Sequence, residues 1–237
     1  MVRPIMTPSR VWLLTGFFAL GSVAAAAEPK WISLFDGKSL KGWKPLDGRA
    51  KFEVRDGTIV GIITEGVRLN SFIVTEDDSF TDFIFEAEFR CDAGINSGVQ
   101  FRSSPPDEKV KRVYGYQYEI DPTSRALTGG VQEEGGYGRR GPDNWLAPDK
   151  SSGPDLEAWQ KKHGDQLKVG PWNTMRIEVR GTRIKTWLNG HLLADFDDND
   201  DVRIRRGFFG LQVHATRDAK LFGREVAFRN LRVQRLD

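Results

Sequence analysis

The chain is patterned by alternation. Over residues 83–91, Phe83, Phe85, Ala87, Phe89 and Cys91 fall on one side, and Glu86, Glu88 and Arg90 on the other. A period of two is that of a strand, whose side chains point to opposite faces in turn. It returns in Val99 and Phe101 against Gln100 and Arg102, and in Tyr116, Tyr118 and Ile120 against Gln117, Glu119 and Asp121. Met175, Ile177 and Val179, then Ile184, Thr186 and Leu188, then Leu211 and Val213 against Gln212 and His214, continue the pattern. Asp56-Gly57, Gly181 and Asn189-Gly190 supply the turns between such runs. Only residues 155–164 read as a helix, with Asp155 as its cap, Leu156 and Trp159 on one face and Gly164 at its end. The run 128–154, dense in Gly, Pro and charge, reads as one long irregular loop. Ten or more short strands with no repeat and no linker predict an all-β sandwich or barrel, one domain, its first and last strands paired.

The first 27 residues stand outside this pattern. Arg3 and Arg10 precede an apolar run, Val11 to Ala19, and the stretch closes on Ala25-Ala26-Ala27. Basic, apolar and small residues in that order predict a secretory signal peptide cleaved after Ala27, leaving 28–237 as the mature domain in the periplasm or outside the cell. The apolar run is shorter than the ~20 residues of a spanning helix, and no later segment is long enough, so no membrane span is expected after cleavage; an uncleaved anchor is the alternative. Without Arg3 and Arg10 the mature chain carries 33 basic and 33 acidic residues. No basic stripe interleaved with aromatics is present, which argues against a nucleic-acid partner. Cys91 is the one cysteine, so no intramolecular disulfide forms. It continues the Phe83–Phe89 alternation and is read as core.

The chemistry gathers on the polar faces. Asn96, Gly98, Gln100 and Arg102 share one; Gln117, Glu119 and Asp121 share another; antiparallel pairing would set them side by side. A solvated face is the default for such strands. Long amides, an arginine and acids beside a glycine instead suit directional hydrogen bonds to hydroxyls over an open patch of sheet. Gln212 and His214 share a polar strand face, and His214 is read either as a hydrogen-bonded structural residue or as a proton-transfer group. His163 and His191 are read as surface. Arg229, opposite Val226 and Phe228, and Tyr137, Arg139 and Arg140 in GGYGRRG are further candidates, the arginines as clamps for an anionic species or as solvated charge. The acidic DFDDND run lacks an EF-hand pattern and is read as a solvated loop. No nucleophile elbow, P-loop, dinucleotide fingerprint or zinc-protease helix is present.

WISLFDGKSLKGWK, NSGVQFRS, GYQYEID, WNTMRIEVRGTRIKTWLNG, GLQVH and FRNLRV, in that order, resemble the 3-keto-disaccharide hydrolase family (3-keto-glucoside 1,2-lyase and 3-keto-2-hydroxyglucal hydratase domains). The resemblance spans Trp31 to Val233. It implies a concanavalin-like, jelly-roll β-sandwich with a concave sheet face. It also implies exported enzymes that act on sugars oxidised at C3: loss of the C2 proton gives an enolate, the C1 substituent leaves, and water adds back. It implies no organic cofactor, and a divalent cation as an option for polarising the ketone. Carried over by position, Glu119 and His214 are the candidates for base, acid or metal ligand. Asn96, Gln100, Arg102, Gln117, Asp121, Tyr137, Arg139, Gln212 and Arg229 are the candidates for holding sugar oxygens. Two departures stand out. Many members place Glu first and Gln second on the Y-x-Y-x-I strand, where this chain has Gln117 then Glu119, and the segment from Glu133 to Val169 is expanded.

A carbohydrate-binding module is the competing reading, since this type of sandwich also binds sugar without chemistry; a purely structural extracellular domain is a third. The first expectation open to test is export. Intact-mass measurement of the exported protein should find a chain beginning near Glu28, and retention of residues 1–27 would refute the signal reading.

Overall fold

The computed structural model describes residues 30–66, 69–108, 110–136 and 144–236. The proposed signal segment, Tyr137 and Arg139 lie outside the described residues. Among the described residues there are fifteen strands: β1 Trp31–Ser33, β2 Trp43–Leu46, β3 Lys51–Arg55, β4 Thr58–Ile62, β5 Ser71–Thr75, β6 Phe83–Cys91, β7 Ser97–Ser104, β8 Tyr114–Ile120, β9 Val131–Glu134, β10 Trp145–Ala147, β11 Asn173–Arg180, β12 Arg183–Leu188, β13 His191–Asp197, β14 Phe208–Val213 and β15 Glu225–Arg235. Among the described residues there is one α-helix, α1, Gly153–His163.

The strands form two antiparallel sheets. One runs β13-β12-β11-β6-β15-β4-β3, with β1 also paired to β15; the other runs β10-β9-β8-β7-β14-β5-β2. β1 lies along β15 with Ile32 opposite Val233, so the first and last strands meet as expected. The predicted turns sit where positive φ is needed: Asp56 and Gly57 at 49° and 72° join β3 to β4, and Asn189 and Gly190 at 51° and 83° join β12 to β13.

The inward faces form one aromatic-rich core. Phe83, Phe85, Phe89, Ile177, Val179, Ile184 and Val233 of the first sheet meet Val99, Phe101, Tyr116, Tyr118, Leu211 and Val213 of the second. Phe85 stacks on Phe209, ring centroids 4.6 Å apart, and Phe101 on Tyr116 at 5.3 Å. Cys91 lies inside this core, where burial pushes its thiol up to about 12, far from a thiolate. A second apolar group, Phe72, Val74, Val113 and Phe208, covers part of the outer face of the seven-stranded sheet.

Several expectations need correcting. The run 128–154 is not one irregular loop: β9 and β10 form within it, and β9 adds to β8 with Gln132 opposite Gln117. Helix α1 begins earlier than read, with Ser152 at its cap and Pro154 in its first turn, where a missing N–H costs nothing; Asp155 lies in that turn rather than at the cap. His163 is buried, its ring 4.7 Å from that of Trp159, and not on the surface. In the acidic run, Asp198 is buried and accepts from Tyr116 and Arg203, so that part is neutralised inside the fold and not solvated. Among the described residues no helix is long and apolar enough to cross a membrane.

Because Phe85 is fully buried and stacked, Phe85→Ala should cost ~3–5 kcal/mol, as for other large-to-small aromatic changes in cores. Denaturant unfolding would measure it; a loss under about 1 kcal/mol, the scatter of surface changes, would mean the core face is misassigned.

Candidate functional site

Residues that alternate with the core-facing positions of β7, β8, β9 and β14 project from the outer face of the seven-stranded sheet. Strand pairing sets Gln100 opposite Gln117, Gln117 opposite Gln132, and Gly98 opposite Glu119. Gln100, Gln117 and Gln212 are nonetheless fully buried, and Glu119 is only 2% exposed. This face is therefore a filled polar layer rather than a wet surface.

The layer is wired in one direction. Ser103 donates to Gln100 Oε1 at 2.8 Å, Gln100 Nε2 to Gln117 Oε1 at 2.6 Å, and Gln117 Nε2 to Glu119 Oε2 at 2.9 Å. Gln132 Nε2 also donates to Glu119 Oε2, at 2.8 Å, and Asn96 Nδ2 donates to Oε1. Gln212 Nε2 donates to Gln117 Oε1 at 2.8 Å and, at 3.4 Å, to Glu134. Its own Oε1 is buried without a partner. Gly98 makes this possible. A Cβ built there would fall 2.5 Å from Cδ of Gln117, so only glycine lets that amide cross the strand to reach Glu119.

Glu119 opens on a hollow of about 400 Å3 shared with His214, Asn96, Gln132, Glu134, Asn70, Asn144, Arg112 and Arg125. Burial pushes its carboxyl up to about 7, with Asp121 adding to the rise and the Asn96 and Gln117 amides opposing it. Glu134 is raised as well, again chiefly by burial. His214 is exposed at the mouth of the hollow. Its Nδ1 lies 2.7 Å from the Ala215 carbonyl, which can only accept, so the proton sits on Nδ1 and the Nε2 lone pair is left open. The protein packed around the rest of the ring holds its pKa below the ordinary imidazole value.

The fold thus brings together Glu119, His214, Asn96, Gln100, Gln117 and Gln212, and separates three other candidates from them. Arg102 is not on this face. The pairing of β7 with β8 slips between Phe101 and Ser104, and Arg102 takes φ 44°, so the bulge turns its side chain away. Buried, it donates to the Thr81 and Gly181 carbonyls at 2.7 and 2.8 Å and pairs with Asp82, tying the two sheets at one end. Arg229 belongs to the other sheet, because β15 pairs with β6; it bonds Glu88 and lies 4.0 Å over the Trp172 ring. Asp121 is buried just past β8 and is not part of the wall of the hollow; it accepts from Thr123 and holds Arg125 at 2.9 Å.

The sequence reading missed Asn70, Gln132, Glu134, Arg112, Arg125 and Asn144. Only Gln132 and Glu134 carried a signal, alternating with Val131 and Glu133, and glycine pairs on both sides made four residues look like loop. A larger hollow, about 740 Å3, lies over the eight-stranded sheet beside Trp31 and Trp187. There Glu86 is already paired with Arg176 and Arg232, so it carries no comparable chemistry.

A divalent cation does not fit these residues. Both oxygens of Glu119 already accept amide N–H groups, and among the described residues no three His, Cys, Asp or Glu side chains are grouped to hold an ion.

Gly98→Ala tests the wiring. Displacing Gln117 should destabilise the fold by ~1–3 kcal/mol, as overpacking does. It should also raise the Glu119 pKa above its present value near 7, because an amide donor to the carboxylate is lost. Carboxyl NMR titration reads the shift; an unchanged pKa would show that Gln117 does not support Glu119.

A search of curated protein sequences finds no match. Among solved structures, a candidate glycosyl hydrolase from Parabacteroides distasonis is 23% identical over 87% of this chain and 94% of its own, with a TM-score of 0.57. The carbohydrate-binding module CBM66 from Bacillus subtilis is 18% identical over 81% and 95%, TM-score 0.50. The kappa-carrageenase of Pseudoalteromonas carrageenovora is 10% identical over 92% and 99%, TM-score 0.56. At these identities the likeness is one of fold, a sandwich of the galectin and concanavalin type. The family model of the 3-keto-alpha-glucoside-1,2-lyase-like domain matches residues 30–234, and the chain belongs to that family.

Proposed function

We propose that the protein is an exported carbohydrate-active enzyme that cleaves 3-keto-glycosides by elimination across C2 and C1, followed by hydration. Family membership supports the substrate class. The observation that carries the reading is Glu119: a carboxyl buried against a sheet, held by three amides, poised near neutrality, and opening on the same hollow as the free Nε2 of His214.

In this reading His214 is the base. Its Nε2 accepts the C2 proton, which the neighbouring ketone makes acidic, and the C–H pair becomes the enolate. As the enolate collapses, the C1–O bond breaks and the leaving oxygen takes a proton from Glu119. The carboxylate so formed then accepts a proton from the water that adds to C1, and His214 returns its proton to C2, so both groups end in their starting states. A group with a pKa near 7 serves both steps, because it gives and takes a proton at similar cost. Asn96 and Gln132 hold the carboxyl and stand at the wall, where sugar hydroxyls would meet them. Gln100, Gln117 and Gln212 lie beneath and act as positioning residues.

The pH dependence follows in sign. Aglycone release needs His214 neutral, so it rises with pH through a value below 6.5; it needs Glu119 protonated, so it falls as pH passes about 7. Glu119→Gln should lose at least ~10²-fold in kcat and abolish the falling limb, while His214→Ala should lose a similar factor and abolish the rising one. Steady-state kinetics on an aryl 3-keto-glucoside would test both. Near-wild-type turnover in the two variants would sink the assignment, and sugar binding without turnover by the unmutated protein would favour a binding module.

A further inference from the structure

An enolate formed at C3 needs positive charge or strong donors where the oxygen becomes negative. The amide layer supplies none of the first kind, and the residues do not suit a metal. A cation is nevertheless built into the wall. Arg125 stands on the β8–β9 connection and lines the hollow with Glu119 and His214. Its Nη2 lies 2.9 Å from Oδ2 of Asp121, a carboxylate with no exposure at all; the contact is an ion pair and not an aligned hydrogen bond, so Oδ2 has no hydrogen-bond donor. Among the described residues no other partner takes its remaining N–H groups.

The segment that carries Arg125 is braced from outside. Trp159 Nε1 donates to the Ala126 carbonyl at 3.0 Å, and Gln160 Nε2 to the carbonyls of Ser124 and Arg125 at 3.0 and 3.2 Å. Both side chains come from α1, within the expanded part of the chain. Asp121 is fixed in turn by Thr123, whose N–H and hydroxyl donate to Oδ1 at 3.1 and 2.6 Å. A half-exposed arginine on a loop ordinarily wanders. This one is tethered at its tip by a buried carboxylate and at its backbone by a helix, which is how a guanidinium is pre-set for an anion. Its charge reaches the two proton-transfer candidates, lowering the pKa of each.

We propose that Arg125, tethered by Asp121, is the electrophilic group that meets the C3 enolate oxygen, in the place a metal ion would take. The inference rests on the 3-keto-glycoside reading and deepens it. As the C2 proton passes to His214, the C–H pair moves into the C2–C3 bond and the carbonyl pair onto O3, where the free N–H groups of Arg125 receive it. No oxidant, reductant or further co-reactant is needed. Asp121 is thereby a positioning residue that acts through Arg125.

The test isolates proton abstraction from bond cleavage. The 3-keto derivative of 1,5-anhydroglucitol has no leaving group, so its C2 hydrogen can exchange with D2O but nothing is released; proton NMR follows the exchange on the mature protein. The wild type should exchange at the same rate with and without EDTA. Arg125→Met should slow exchange by ~10²-fold or more, with the sugar's Kd changed far less, as for loss of a transition-state donor. Arg125→Lys should recover part of the rate, and added guanidinium ion should partly rescue Arg125→Ala, a readout that a folding defect would not give. Exchange in Arg125→Met within threefold of wild type, or wild-type exchange abolished by EDTA and restored by a divalent cation, would overturn the assignment to Arg125 and leave the 3-keto-glycoside reading standing. If the wild type neither exchanges this sugar nor releases aglycone from a 3-keto-glucoside, that reading itself fails and takes the assignment with it.

Discussion

A carboxyl group buried in the sheet face at the edge of a hollow sets the terms for the rest of this site. Burying an ionisable oxygen pair against a sheet is costly unless donors surround it. Here the donors are amides, and amides must themselves be satisfied. Gln117 reaches Glu119 because Gln100 and Gln212 take its carbonyl, and Gln100 is steadied by Ser103. Each member is placed by strand register, so the geometry of a single carboxylate is spread over β7, β8, β9 and β14. The missing side chain of Gly98 is part of the same design, since the Gln117 amide occupies the space a methyl group would fill. What emerges is a donor array with one group able to change charge near neutrality.

The order of residues on β8 bears on this. Many family members carry the acid first and the amide second, whereas here Gln117 precedes Glu119. The two positions share a face but lie in different rows. Position 117 sits between Gln100 and Gln132, both long side chains; position 119 sits opposite Gly98, next to open space. Placing the carboxyl at 119 puts it at the edge of the amide layer, on the hollow, instead of inside the layer. In this chain the carboxyl is thus at the hollow, with the amide beside it fixing one of its oxygens.

Local pattern explains what could be read in advance. Period two assigned Phe83, Phe85, Phe89, Val99, Phe101 and Val179 to the core correctly, because one buried face fixes the register of a strand. The same logic joined Gln100 to Gln117. It failed at Arg102, where a bulge broke the alternation, and bulges depend on how two strands fit rather than on either sequence alone. It failed at Arg229, because period two says which side of its own strand a residue takes but not which sheet the strand enters. Gln132 and Glu134 alternate over a strand of only four residues between glycine pairs, too brief a signal to tell from loop, and the strand is held between β8 and β10. Arg125 was invisible for a different reason: its place follows from a tether to Asp121 and a brace from α1, contacts across sequence that no local pattern encodes.

The site also taxes the fold, and the sign of that tax is informative. Glu119 titrates near 7 in the folded chain against an ordinary value of 4.5, so the folded state binds the proton more tightly than the unfolded one. Its contribution to stability is intact below about 4.5 and is lost as pH rises through 7, a span worth roughly 3 kcal/mol at about 1.4 kcal/mol per pKa unit. A carboxylate recruited only for structure would run the other way, paired and depressed, as Glu178 is by Arg180 and Arg176. Arg125 stands in the same wall, yet its tip is committed to Asp121 and it does not neutralise Glu119 outright. A direct pair between them would have stabilised the fold and pulled the Glu119 carboxyl down from its value near 7. Keeping acid and cation apart, each with its own buried support, preserves both a carboxyl that titrates near neutrality and a guanidinium with donors to spare.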